Sequence, residues 1–246
     1  MLDPAILERV DSYWAADFFG CSLDEYHSTY HVQKHAGKLQ QDDYCGIYCF
    51  SSADRTTISI PPRWFDRVGP MLPASPDELA NGLRSIATAI VGPAYIGYSN
   101  GGSASHGDAR AVRQADKVAW TELQAACLPI EWDHGGSNLD EACSGVFSGE
   151  RLIALAGYKT WGGIIAHISI VTHPDFRGHG HGRSTVAHAM NQAVSDGLIP
   201  QYQTLDSNGP SIGIASALGF SRYARSLAIR LPTEVQGDAH QHTMTG

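Results

Sequence analysis

The sequence has no apolar run approaching the roughly 18 residues that a membrane-spanning helix needs. It also has no excess of positive charge. Its 17 Lys and Arg face 25 Asp and Glu, for a formal net charge of −8. That balance speaks against nucleic acid and anionic membranes, which attract basic surfaces, and suits a cationic small molecule better. The five cysteines (Cys21, Cys45, Cys49, Cys127 and Cys143) contain no CxxC pair. Their odd number and their spacing give no disulfide framework. The opening Met-Leu-Asp-Pro-Ala-Ile-Leu-Glu-Arg lacks a basic stretch followed by an apolar one, so no secretory signal is expected. Together these absences predict a cytoplasmic protein with reduced thiols.

What is present predicts an α/β protein. Ile6, Leu7, Val10, Tyr13, Trp14, Phe18 and Phe19 recur at helical spacing, so a helix is expected over 4–19 with Asp3 as cap and Pro4 in its first turn. Two short strands are expected over 45–60, split by Ser51-Ser52-Ala53-Asp54. Ser75 and the spacing of Leu79, Leu83, Ile86 and Ile90 predict a helix over 76–91. The Gly/Ser/Asn-rich run 99–109 reads as a linker. A helix near 114–128, a loop at 131–136 and three meandering strands at 143–148, 151–160 and 163–172 follow. Then come a helix at 180–195, a strand at 201–206, a helix at 209–218 and a strand at 222–231. The division expected is an α/β N-terminal region at 1–105 that shapes the substrate site, a domain at 110–231, and a flexible tail at 232–246. His27, His31 and His35 stand at i, i+4 and i+8, where a helix would put them on one face, a metal-ligand arrangement. No Cys or carboxylate signature accompanies them, so no metal is expected.

The chemistry-bearing segment is Ile170-Val171-Thr172-His173-Pro174-Asp175-Phe176-Arg177-Gly178-His179-Gly180-His181-Gly182. An apolar strand ends there, a glycine loop follows, and a helix begins. Such a loop turns backbone N–H groups and the positive end of the helix dipole toward phosphate. A P-loop needs Lys after its glycines and none follows here. The dinucleotide fingerprint GxGxxG needs Gly where Arg183 stands. What remains is [R/Q]xxGx[G/A], met by Arg177, Gly180 and Gly182.

That pattern resembles the coenzyme A pyrophosphate loop of the GNAT acetyltransferases. A second match strengthens the resemblance: Asn208, Ser211, Ile214, Ala215, Gly219 and Phe220 stand at the offsets of the family's NxxAxxLYxxxGF. The resemblance covers about residues 110–231 and implies a C-terminal GNAT mixed central sheet flanked by helices. It implies acetyl-CoA as co-substrate and direct acetyl transfer to a primary amine. Val91-Gly92-Pro93-Ala94, Val171-Thr172-His173-Pro174 and Pro200-Gln201-Tyr202 are similar to stretches in a bacterial group of the family that includes aminoglycoside acetyltransferases of the kasugamycin 2′-N kind.

The resemblance further implies a splay between the third strand and that at 201–206. Pantetheine would pair with backbone near Ile170, Val171 and Thr172, and Arg177, Gly178, His179, Gly180, His181 and Gly182 would cradle the pyrophosphate. Asn208 and Ser211 would add coenzyme A contacts. The family often has a thiolate-protonating Tyr where this chain has Ala215, so either Ser211, Ser216, Tyr223 or water acts instead, or no acid is needed. His167 is the candidate base, and Glu131, Asp133 and Asp206 are candidates for an amine pocket. The acceptor expected is a cationic small-molecule amine, and a homodimer is a family-level expectation. A polyamine, amino-acid or peptide amine, or a catalytically inactive acyl-CoA sensor, are the alternatives.

Overall fold

The computed structural model describes residues 1–101, 105, 107–139 and 141–233. Parts of the expected linker (102–104 and 106) and most of the expected tail (234–246) lie outside the described residues. The chain forms two compact units: Met1–Val10 with Tyr95–Tyr223, and Asp11–Ala94 with the chain from Ala224 onward. The units exchange chain at Val10/Asp11, inside a strand at Ala94/Tyr95, and inside another at Tyr223/Ala224.

Helix α1 (Pro4–Ser12), of which the unit built on 11–94 holds only Asp11 and Ser12, runs into a π-helical segment of that unit, Tyr13–Phe19, ended by Gly20 at φ +67°. Then follow α2 (Leu23–His27), β1 (Tyr30–Lys34), α3 (Gly37–Gln41), β2 (Gly46–Ser51), β3 (Thr56–Ile60), α4 (Pro62–Val68), α5 (Pro76–Gly82) and β4 (Ala89–Tyr98). β1 lies parallel to β3, and β3 antiparallel to β2. β2 in turn pairs antiparallel with the last strand of the chain. Ile47, Ile58, Ile60, Trp64, Leu79, Leu83 and Ile229 form its buried core.

One expectation fails in this unit. The helix expected over 76–91 ends at Gly82, and Ile90 and Val91 stand in β4. Ile86 and Ile90 still pack on the same core as Leu79 and Leu83, from a turn and a strand. The spacing therefore reported a buried side of the chain, and a run of β-branched residues decided its backbone. β1 carried no sequence signal. The histidine trio shares no helix face. His27 ends α2 and bonds Asp11 at 2.9 Å, and His31 in β1 bonds Gln33 at 2.8 Å. His35 is buried between the Ser59 hydroxyl at 2.8 Å and the Gly46 carbonyl at 2.9 Å. Among the described residues no group of three or more His, Cys, Asp or Glu is placed to hold a metal ion.

The unit built on 95–223 continues with β5 (Arg110–Ala111), α6 (Lys117–Ala126), α7 (Pro129–Gly135), β6 (Ala142–Ser148), β7 (Arg151–Trp161), β8 (Ile165–Thr172), α8 (His181–Ser195), β9 (Ile199–Leu205), α9 (Gly209–Ala217) and β10 (Ser221–Arg230), whose first three residues it holds. Its strand order is β4-β9-β8-β7-β6-β5. β6, β7 and β8 form an antiparallel meander, while β9 lies parallel to β8 because α8 carries the chain back across the sheet. Ala156, Tyr158, Ile168 and Tyr202 meet Val186, Ala189, Met190, Ala215 and Phe220 on the α8–α9 face. Leu152, Leu155 and Val171 meet Ala119, Leu123 and Cys127 on the α6–α7 face. Residues 131–136, expected as a loop, are mostly helix. Pro129 opens α7, and the Glu131 carboxylate caps it by accepting from the Leu128 N–H at 3.1 Å. Among the described residues no helix is long and apolar enough to cross a membrane.

Candidate active site

The parallel ladder of β8 and β9 runs from Ile165–Ile199 to Ile168–Tyr202 and stops there, although β8 continues to Thr172 and β9 to Leu205. This opening is the splay that the family resemblance implies. Beyond it β8 is bonded on one side only, to β7, with Thr172 opposite Ala154. His173 donates its N–H to Ile153 on the β7 side at 2.9 Å. Alternation along the strand therefore points the carbonyls of Ile170 and Thr172 to the open side. Arg177 holds the Thr172 carbonyl and Gly135 of α7 lies close to the Ile170 carbonyl; a strand edge without a neighbouring strand can accept an extended amide chain, and pantetheine is one.

At the end of β8, a short 3₁₀ turn, Pro174–Phe176, leads into the glycine loop. His173 anchors that turn. It is buried, its Nδ1 accepts from the Asp175 N–H at 3.2 Å, and its Nε2 meets the Arg151 guanidinium at 2.6 Å. Sequence reasoning did not assign His173 a role; the His-Pro pair was its one signal. Gly178 and Gly180 have φ of +82° and +84°, with nothing within 4 Å of where a side chain would begin. Only glycine takes that conformation without strain. Gly180 caps α8, and the first turn closes when the Ser184 N–H reaches the Gly180 carbonyl at 3.1 Å. The N–H groups before it sit at the helix N-terminus, where first-turn donors have no intrahelical acceptor. Gly182 is glycine for a different reason. A Cβ there would stand 3.1 Å from Thr172 Oγ1 and 3.3 Å from Ile214 Cδ1, so β8, α8 and α9 converge at this point. His179 and His181 stack at 6.1 Å in the loop.

Arg177 joins three elements. Its Nε donates to the Thr172 carbonyl at 3.1 Å, and its terminal nitrogen meets the Glu131 carboxylate at 2.9 Å. That guanidinium, with help from the Leu128 N–H, holds the Glu131 carboxyl below the ordinary carboxylate range. The three carboxylates expected to line an amine pocket thus have separate settings. Glu131 belongs to the Arg177 junction, Asp133 is exposed on α7, and Asp206 meets Arg222 at 2.8 Å.

His167 and Tyr202 flank the end of the ladder from opposite faces. His167 stacks on Trp161 with ring centroids 4.0 Å apart and planes 11° apart. Its Nδ1 lies 2.7 Å from Gln201 Oε1, and Gln201 donates through its amide nitrogen to the buried Tyr98 hydroxyl at 2.7 Å. The Gln201 oxygen must then accept, so Nδ1 carries the proton and Nε2 keeps its lone pair. Burial pushes the His167 pKa down, opposed by Gln201 and assisted by Lys159. The imidazole is therefore neutral at neutral pH, with a basic nitrogen to spare.

On the other face, Asn208 caps α9 by accepting from the Ser211 N–H at 3.3 Å. Ala215 is fully buried in the cluster that holds Tyr202, so no phenol stands at that helix position. Tyr223 is also buried, edge-on to Tyr98 at 5.2 Å. The open cradle at Gly178 and Gly180, the first-turn donors of α8 and the one-sided edge of β8 fit the pyrophosphate and pantetheine of coenzyme A. The phosphate cradle takes anions, the edge takes amides, and both converge on the splay.

Comparison with known proteins agrees. The acetyltransferase (GNAT) family model matches residues 109–220, just under half of the chain. A search of the curated proteins gives no match. Among solved structures, the chain is similar to an acetyltransferase from the GNAT family of Novosphingobium aromaticivorans, at 22% identity and a TM-score of 0.49 over 59% of this chain and 67% of that one. One from Colwellia psychrerythraea matches at 15% identity and a TM-score of 0.49, over 61% of this chain and 59% of its own. A GCN5-related N-acetyltransferase-like protein from Streptococcus suis matches at 15% identity and 0.41, over 82% and 80%. At these identities and TM-scores the likeness bears on neither substrate nor mechanism. The family match, not these neighbours, bears on identity: residues 109–220 are similar to the acetyltransferase (GNAT) family.

Proposed function

We propose that this protein transfers acetyl from acetyl-CoA directly to the primary amine of a cationic small molecule, with an aminoglycoside of the kasugamycin kind as the preferred candidate. The observation that carries the reading is the meeting of the glycine cradle at the start of α8 with the open edge of β8, where the β8–β9 ladder stops at Ile168–Tyr202. The phosphates of the donor lie on the N–H groups of the loop 177–182, and its pantetheine pairs with Ile170–Thr172. Its acetyl group then reaches the end of the ladder. There a backbone N–H of β8 polarises the thioester carbonyl. His167, neutral and with Nε2 free, takes the amine's proton directly or through water. The larger part of the rate comes from placing amine and thioester together. The acidic balance of the chain, −8, supports a cationic acceptor.

The test is thiol release from acetyl-CoA against aminoglycosides including kasugamycin, polyamines, amino acids and peptides, with Arg177→Glu/Gly180→Glu as control. Turnover on one amine class, lost in the control, is the expected result. A second reading, a catalytically inactive acyl-CoA sensor, is favoured by one observation, Ala215 in the usual Tyr position. Acetyl-CoA binding without turnover on any amine would establish it and overturn the first.

A further inference from the structure

Tyr202 is the last paired residue of β9 before the ladder opens. Its side chain is buried, 1% exposed, among Ile168, Ala215 and Phe220. Its ring lies 5.5 Å from that of Phe220. Among the described residues the hydroxyl oxygen is sealed from solvent and makes no hydrogen bond of good geometry, with Ser211 as the polar side chain that acts on it. A buried hydroxyl left without a partner is costly and rare, and where it occurs it calls for a ligand or a catalytic role. Its residue is the one at which the β8–β9 ladder ends. It also sits beside the helix turn whose residue 215 is Ala and so leaves room for a ring arriving from the sheet.

We infer that Tyr202 supplies the phenol missing from position 215: its hydroxyl, seated beside Ser211, donates a hydrogen bond to the sulfur of the departing thiolate. This rests on the transfer reading above. As the carbon–sulfur bond breaks, its electron pair passes to sulfur and the amine nitrogen takes the acyl carbon. The nitrogen loses one proton, to His167 or solvent, and the thiolate later gains one from solvent. Tyr202 keeps its own proton throughout and contributes only the hydrogen bond. Burial pushes its phenol up to about 12, so it remains a donor across the working pH range.

The test compares the wild-type protein with Tyr202→Phe, which keeps the ring and its packing on Phe220. A hydrogen bond to a charged acceptor predicts a loss in kcat of about ten- to a hundredfold in the variant, with KM for acetyl-CoA unchanged within about twofold and Tm no lower. A second readout needs no turnover. The thiol of bound coenzyme A is titrated by its thiolate absorbance in both proteins, and the apparent thiol pKa is higher in Tyr202→Phe. A kcat close to wild type together with the same thiol titration overturns the inference. If the wild-type protein binds coenzyme A but acetylates nothing, the transfer reading falls, and the thiol titration still decides whether Tyr202 reaches the sulfur.

Discussion

Arg177 and Glu131 meet at 2.9 Å across the junction between the glycine loop and α7, and the same guanidinium holds the Thr172 carbonyl at 3.1 Å. Arg177 thereby ties the phosphate cradle to the strand edge that would receive pantetheine. The ion pair is partly exposed, so it is worth at most about 1 kcal/mol to stability. Its weight falls on binding, because Glu131 and a phosphate compete for one cation. Glu131→Gln is expected to lower KM for acetyl-CoA by about two- to fivefold, the span that 1 kcal/mol allows, with kcat and Tm unchanged. Steady-state kinetics decides it. A raised KM would mean that Glu131 orients the guanidinium instead of occupying it.

Gly180 and Gly182 are both glycine, for reasons that separate in experiment. Gly180 needs its φ of +84° and has open space around it. Gly180→Ala should cost about 1–2 kcal/mol in stability from the left-handed backbone alone and should weaken acetyl-CoA binding. Gly182 lies against Thr172 and Ile214, so Gly182→Val should overpack the junction by about 1–3 kcal/mol. Thermal unfolding with and without coenzyme A tells them apart. The ligand should restore part of the lost Tm in Gly180→Ala and less in Gly182→Val, whose cradle is displaced.

The order of elements around the site was legible in sequence because each carried its own local signal. β6, β7 and β8 are strand-forming runs bounded by turn residues, the glycines mark the loop, and Asn208 marks the start of α9. What was not legible depended on partners distant in the chain. The Leu79, Leu83, Ile86, Ile90 spacing matches a helix, but one core takes these residues from a helix, a turn and a strand in succession. Glu131 read as a loop carboxylate near an amine because nothing nearby in sequence shows Arg177, 46 residues on, waiting for it. His173 had no assigned role for the same reason, since its partner Arg151 is on β7. Tyr202 looked like an ordinary strand aromatic. Only the place where the ladder ends, and a sealed hydroxyl with no well-formed hydrogen bond among the described residues, set it apart.

Ser211 stands in the first turn of α9, beside the Tyr202 hydroxyl and one helical turn before Ala215. If its hydroxyl assists the leaving thiolate, Ser211→Ala lowers kcat by a few-fold to about tenfold, as for one neutral hydrogen bond. If it only steadies coenzyme A, KM rises and kcat stands. Unchanged kcat and KM together would remove Ser211 from the site.

His167 ties stability and activity to pH through one cause. Burial lowers its pKa below the unfolded value of roughly 6.5. Between the two values the unfolded chain binds a proton that the folded chain refuses, so stability falls as pH falls below about 6.5. His35, buried and lowered for the same reason, adds to the loss. Above that window both are neutral in either state and contribute no slope. His167→Asn should flatten the fall in Tm between about pH 7 and pH 5, and His35 should leave a residual slope. The same variant tests the base. With the His167 pKa lowered in the folded protein, kcat/KM in the wild type should hold its value further into acid than a free imidazole would allow. His167→Asn should lose activity at every pH while binding acetyl-CoA normally. A variant that flattens the Tm profile and keeps full activity would show a histidine that serves the sheet, stacked on Trp161 and bonded to Gln201, and would move the proton acceptor to water.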